Sequence, residues 1–181
     1  FSGQGGHHIG VADVDGDGRD EIVYHSMVID DNGKALYSTG LRHGDAVHVG
    51  VFDPTRPTAI QVWGAHENED ETAEFGTPGV AVFEAADGKI LWGAVKGVDV
   101  ERAVAADIDP RHPGYEVWSN RFPLSTWKTG ERSADAPGSI SHGGGWDGDL
   151  QREILIGARV MKWNYQDSKE KPLFAGDGVR G

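Results

Sequence analysis

The sequence predicts an all-β fold of many short strands, and three observations carry that expectation. The apolar runs are short and rich in β-branched and aromatic residues: Glu21-Ile22-Val23-Tyr24, Gln61-Val62-Trp63-Gly64, Val80-Ala81-Val82-Phe83 and Glu153-Ile154-Leu155-Ile156. Gly, Asp, Asn and Pro interrupt them every few residues, with 27 Gly among 181 residues. No long stretch keeps a helical period, and the chain repeats itself.

Two half-motifs make up the repeat. The first is Asp-x-Asp followed by an acid and an apolar strand. It reads Asp13-Val14-Asp15 with Glu21, Asp107-Ile108-Asp109 with Glu116, and Asp147-Gly148-Asp149 with Glu153, with a decayed copy at Val51-Phe52-Asp53-Pro54. The leading positions 13, 53, 107 and 147 lie 40, 54 and 40 residues apart. The second half-motif is strand, turn, Lys, strand. It appears at Val28–Tyr37 around Asn32-Gly33-Lys34, at Phe83–Trp92 around Asp87-Gly88-Lys89, and at Trp163–Phe174 around Asp167-Ser168-Lys169. Asn-Gly and Asp-Gly favour the positive backbone angles of tight hairpins.

Units of about 40 to 50 residues with four strands each are the mark of a β-propeller. The units run approximately over 1–40, 41–96, 97–137 and 138–181. Four units make either an arc of a larger ring, in which case the chain is a fragment, or a compact four-bladed ring.

Composition narrows the function. Apolar residues are 38% of the chain and six are Trp, enough for a substantial core. The net charge of −12 argues against nucleic acid, which needs a basic surface. It suits bound divalent cations, or an acidic substrate gripped through cations and a few Arg. There is no Cys, so neither disulfides nor thiolate zinc is available. No apolar run reaches the roughly 20 residues that span a bilayer.

The stretch Asp13 to Glu21 carries acids at loop positions 1, 3, 5 and 9, with Gly16 and Gly18 for the bend and the Arg19 carbonyl at position 7. Several carboxylates pointed at one centre suit calcium, which takes six to eight oxygens. It is not an EF-hand, because position 12 is Tyr24 and a strand follows. Asp107, Asp109 and Glu116, with Pro110 and Pro113 stiffening the loop, and the shorter Asp147, Asp149 and Glu153 are candidate sites of the same kind; blade turns capped by aspartate are the alternative.

Histidines gather just before the first strand of each unit: His7 and His8, then His43 with His48, then His142, while His66-Glu67 closes a strand. If equivalent ends of neighbouring blades meet at one mouth, His7, His43 and Glu67 share a divalent cation or offer a base, and His48 and His66 touch substrate. Loop histidines bonded to backbone are the alternative. Arg102, in Asp99-Val100-Glu101-Arg102, enters at the same mouth and either grips a carboxylate or pairs with Glu101 or Asp99. The Trp residues could stack on sugar rings, but most sit in strand patterns and read as core.

Taken in order, Gly5-Gly6-His7-His8-Ile9-Gly10 through Glu21, Leu41-Arg42-His43-Gly44-Asp45-Ala46, Asp99 through Ala105-Ala106-Asp107-Ile108-Asp109-Pro110, and Trp146-Asp147-Gly148-Asp149-Leu150 resemble the rhamnogalacturonan lyases of polysaccharide lyase family 11 over nearly the whole chain. The calcium loop alone is unspecific, since integrin-type repeats share it.

The resemblance implies an eight-bladed propeller with several Ca2+ ions, in a chain much longer than this one. It implies secretion, and β-elimination at rhamnose–galacturonate bonds of the pectin backbone, an acidic polysaccharide. It implies that His7, His43 and Glu67 hold a metal near the substrate carboxylate and that Arg102 lines the catalytic cleft. Asp177-Gly178-Val179-Arg180-Gly181 resembles the stretch carrying a catalytic Lys, with Arg180 in its place; Arg cannot give up its proton, which puts a base role in doubt. The competing function is a non-enzymatic calcium-binding propeller for adhesion or carbohydrate binding.

Overall fold

The computed structural model describes residues 3, 5–67, 76–96, 98–138 and 141–176. These residues form four antiparallel sheets of four strands. The first holds β1 (Gly10–Ala12), β2 (Glu21–Tyr24), β3 (Met27–Ile29) and β4 (Ala35–Ser38). The second holds β5 (Gly44–Gly50), β6 (Gln61–His66), β7 (Pro78–Glu84) and β8 (Ile90–Lys96). The third holds β9 (Ala103–Ala106), β10 (Glu116–Ser119), β11 (Phe122–Thr126) and β12 (Arg132–Ala134). The fourth holds β13 (Ser141–Gly144), β14 (Glu153–Ile156), β15 (Arg159–Asn164) and β16 (Lys169–Ala175). Within each sheet the strands lie in chain order. Among the described residues no helix is long and apolar enough to cross a membrane.

Turn chemistry closes the hairpins as the sequence predicts. Gly33 (φ 81°) and Gly88 (φ 73°) sit in the left-handed region at Asn32-Gly33 and Asp87-Gly88. Backbone bonds Gly33 N–H to Asp30 O (2.8 Å) and Gly88 N–H to Glu84 O (3.0 Å) lock them. In the fourth sheet Ser168 takes the same angle, φ 53°.

The sheets stack face to face in chain order, with β1 against β5, β5 against β9 and β9 against β13. Three apolar layers fill the gaps. Val23, Val28 and Leu41 meet Val62 and Phe83 between the first and second sheets. Trp63, Val80 and Val82 meet Ala103, Val117 and Trp127 between the second and third. Val104, Trp118 and Leu124 meet Ile154 and Trp163 between the third and fourth. The second sheet is therefore covered on both faces, and every residue of β6 is buried. Four Trp, at 63, 118, 127 and 163, serve this packing. The two end faces keep exposed apolar side chains: Ile9, Val11 and Ile22 on the first sheet, Trp146, Leu155 and Phe174 on the fourth.

Candidate functional site

A four-stranded antiparallel meander sends alternate connections to opposite ends of the sheet. One end of the stack receives the start of each first strand, the second-to-third turn and the link from sheet to sheet. The other receives the first-to-second loop and the third-to-fourth hairpin. His7, His43, Glu67, Arg102 and His142 thus lie at one end, and every Asp-rich loop at the other.

At the histidine end the strands are drawn together by glycine. Gly6 bridges Gly44 in parallel, and His7 N–H donates to Gly44 O at 3.0 Å. A Cβ at Gly6 would lie 2.0 Å from the His25 ring, and one at Gly44 would lie 2.3 Å from Ala65 O, so no side chain fits at either position. Glu67 N–H donates to His43 O at 3.0 Å. These contacts bring His7 Nε2 to 3.7 Å and His43 Nε2 to 3.4 Å from Glu67 Oε1. Ligand atoms of His7, His43 and Glu67 lie within 4.8 Å of one another, and two imidazoles with a carboxylate suit a divalent cation. Burial, then Asp45 and Asp99, pushes the Glu67 carboxyl up, against the pull of His43.

Asp45, which sequence reasoning passed over, stands 3.5 Å from His7 Nε2. Its position two residues after His43, on the same face of the entering strand, is the signal that points to it. Arg102 is exposed at this end and forms no ion pair with Glu101 or Asp99: Glu101 accepts from Asn120 Nδ2, and the Asp99 side chain caps Glu101 N–H. Burial lowers the His8 pKa, and the charge of Arg102 lowers it further.

Two expected substrate contacts are corrected. His66 is 1% exposed inside β6, with Nδ1 3.4 Å from Ser26 Oγ, and burial lowers its pKa to about 4. His48 is half-buried, and its Nε2 lies 2.8 Å from Ala103 O, which ties β5 to β9. Strand alternation turns both rings into the stack. Arg180 lies outside the described residues.

At the other end, each loop is organised by the first residue of its sheet's second strand. Glu21 accepts from Val14 N–H at 2.8 Å, Gln61 from Phe52 N–H at 2.9 Å, Glu116 from Ile108 N–H at 3.0 Å and Asp109 N–H at 2.9 Å, and Glu153 from Trp146 N–H at 2.5 Å. This register makes Asp15, Asp53, Asp109 and Asp147 equivalent. The sequence alignment on Asp13, Asp53, Asp107 and Asp147 is two residues out in the second and fourth units.

The first loop gathers the most carboxylate. Asp13, Asp15 and Asp17 form one group, and Asp15, Glu21 and Asp30 a second that shares Asp15, each with ligand atoms within 4.8 Å. Among the described residues Glu21 Oε1 is buried without a partner, an orphaned oxygen that a calcium ion would satisfy. Gly16 (φ 82°) and Gly18 (φ 89°) make the bend, and their N–H groups donate to Asp13. The Arg19 side chain turns away to Asp31, at 2.7 Å.

The third loop corrects an expectation. Asp109 is fully buried and held by the Arg111 guanidinium through Nε (2.9 Å) and Nη2 (2.5 Å), so its charge is already met. Among the described residues Asp107, Asp109 and Glu116 do not converge as a metal-ligand group. Burial pushes the Glu116 carboxyl up to about 8, against two backbone hydrogen bonds, so it is protonated at neutral pH. In the fourth loop Asp147, Asp149 and Glu153 do converge.

The model of the rhamnogalacturonan lyase family 11 C-terminal domain matches residues 1–181. This chain belongs to that family. It is 48% identical over 179 residues to the rhamnogalacturonan endolyase YesW of Bacillus subtilis, covering 99% of this chain and 28% of that protein. It is 43% identical over 195 residues to the exolyase YesX of the same organism, covering 31% of that protein. The crystal structure of YesW superposes with a TM-score of 0.89 at 49% identity, over 98% of this chain and 29% of that one. The rhamnogalacturonan lyase of Bacillus licheniformis gives the same TM-score at 48% identity, again over 98% of this chain and 29% of that one. The chain thus spans under a third of the length of these family 11 relatives.

Proposed function

We propose that residues 1–181 are a segment of a calcium-dependent rhamnogalacturonan lyase, contributing the metal-holding and carboxylate-binding part of its cleft. The observation that carries the reading is the convergence of His7, His43 and Glu67 at the end of the stack where Arg102 stands exposed. The four sheets are read as four blades, over approximately 1–40, 41–96, 97–137 and 138–181, of a larger propeller. Their exposed apolar end faces are where the rest of the parent chain packs. Secretion follows the substrate, an extracellular pectin. A purely adhesive calcium module is disfavoured, because it has no use for imidazoles and an exposed arginine at one mouth.

The chemistry follows from the groups present. β-Elimination removes the proton on C5, next to the galacturonate carboxylate, and expels the oxygen at C4. His7, His43 and Glu67 would hold a divalent cation, which would supply a Lewis acid for that carboxylate. Arg102 offers two parallel N–H donors to its oxygens, which gain electron density as the proton leaves. Arg180 stays protonated, so another group of the assembled cleft takes the proton.

The test is Arg102→Ala in the full-length enzyme, assayed by the ultraviolet absorbance of the unsaturated uronate formed from rhamnogalacturonan. Losing one preorganised contact to developing charge costs about 2.7–4 kcal/mol, a fall of roughly a hundredfold or more. Arg102→Lys restores little, lacking the planar fork. Turnover near that of the unaltered enzyme would make Arg102 structural and move the cleft elsewhere.

A further inference from the structure

The Asp-rich loops are four versions of one device, and they differ in how their carboxylates are neutralised. What separates the first loop from the fourth is the position across from Glu21, Gln61, Glu116 and Glu153 on the third strand of each sheet. The registers Gln61↔Glu84 and Glu116↔Thr126 place it directly in the second and third sheets. Continuing the pairs Ile22↔Ile29 and Ile154↔Met161 by one step gives Asp30 in the first sheet and Lys162 in the fourth. The first sheet therefore adds an acid to its loop, and the fourth adds an ammonium.

That ammonium is seated at the centre of the fourth loop. Lys162 Nζ lies 3.2 and 3.1 Å from the two oxygens of Asp147, 2.6 Å from Asp149 Oδ1 and 3.3 Å from Gln151 O, and it also bonds Glu153 Oε1. Three carboxylates and a backbone carbonyl around one point are the donor set of a hard divalent cation. Glu153 is almost wholly buried, so its charge must be met locally. Burial by itself would lower the Lys162 pKa; the bonds from Asp149, Glu153 and Asp147 outweigh it and raise it, so the group stays cationic. A calcium ion at about 2.3–2.6 Å from the same oxygens would stand directly against the ammonium.

We propose that Lys162 is the resident cation of the fourth loop: the loop holds no divalent ion, and removing the ammonium turns Asp147, Asp149, Glu153 and the Gln151 carbonyl into a calcium site. This goes beyond the calcium proposed for the first loop and does not depend on it.

The experiment counts calcium per chain in the full-length protein, by elemental analysis after equilibration with calcium chloride and gel filtration. Lys162→Gln is expected to gain one ion per chain, and the gain is expected to disappear in Lys162→Gln/Asp149→Asn. With Lys162 intact, Asp149→Asn is expected to leave the count unchanged. A lower count for Asp149→Asn alone would show an ion in the loop despite the lysine and overturn the proposal. So would an unchanged count for Lys162→Gln with native far-ultraviolet circular dichroism. If Lys162→Gln does not fold, the Asp149→Asn comparison decides alone.

Discussion

The first and fourth sheets carry the same loop and treat it in opposite ways. Both set a buried Glu at the start of the second strand to accept a loop N–H, and both aim two or three aspartates at the same space. Across the ladder the first sheet places Asp30 and the fourth Lys162. Between these two loops the cross-strand residue differs in sign: Lys162 meets the charge from the chain, whereas the calcium proposed for the first loop would meet it from solution. A loop closed by lysine is stable whatever the medium holds. A loop closed by a bound ion is only as stable as the free ion concentration allows. The second and third loops side with the fourth: Arg56 bonds Asp53 and Glu84, and Arg111 bonds Asp109.

The largest expected effect tests the lysine half of this contrast. Lys162→Gln in excess chelator leaves buried Glu153 without its partner, and breaking such a pair costs about 3–5 kcal/mol. Adding calcium to the variant restores most of that, while the unaltered fourth loop gains nothing. Thermal unfolding with and without calcium reads both, and a variant equally stable in chelator would break the comparison.

Next in size is the calcium proposed for the first loop. Calcium bound only by the folded state at a hundredfold excess over its dissociation constant adds about 2.7 kcal/mol. Chelation should lower the melting temperature accordingly, and Glu21→Gln or Asp15→Asn should reduce the loss. A melting curve indifferent to chelator would remove the first loop from the contrast. Asp30→Lys sharpens the same point by giving the first loop the fourth loop's residue. The variant should stay folded and lose part of its calcium response.

How much of this was legible in the chain depends on range. Strands such as Gln61–Gly64 and Glu153–Ile156, and the hairpins at Asn32-Gly33 and Asp87-Gly88, are set by local pattern and turn chemistry, so they read directly. The acids of Asp13–Glu21 read directly too, being adjacent. The counter-ions did not. Lys162 reaches Asp147 only through the β14–β15 register, which no local pattern displays. Repeat alignment slipped by two residues in the second and fourth units because Asp-x-Asp pairs match at more than one offset. The Glu or Gln opening the second strand is the true anchor. His66 read as a site residue because His66-Glu67 looks like one cluster, yet alternation along a doubly covered strand sends the ring inward and leaves Glu67 at the end.

A different kind of effect concerns the third loop, where no added ion is expected and pH is the variable. Glu116 holds its proton up to about pH 8, whereas an unfolded Glu loses it near 4.5. The folded state therefore binds more protons than the unfolded state between those values, and stability falls as pH rises through the window, levelling above 8. Glu116→Gln keeps an oxygen to accept the Ile108 and Asp109 N–H groups and carries no proton to lose. Near pH 4, where Glu116 is protonated in both states, the substitution should change stability by no more than about 1 kcal/mol, the worth of one neutral hydrogen bond. Above pH 8 it should stabilise, and this part of the pH slope should vanish. Chemical denaturation at pH 4 and 9 measures both. If Glu116 instead held calcium with Asp107, the same variant would destabilise at both pH values and would lose an ion. The third loop would then belong with the first rather than with the fourth.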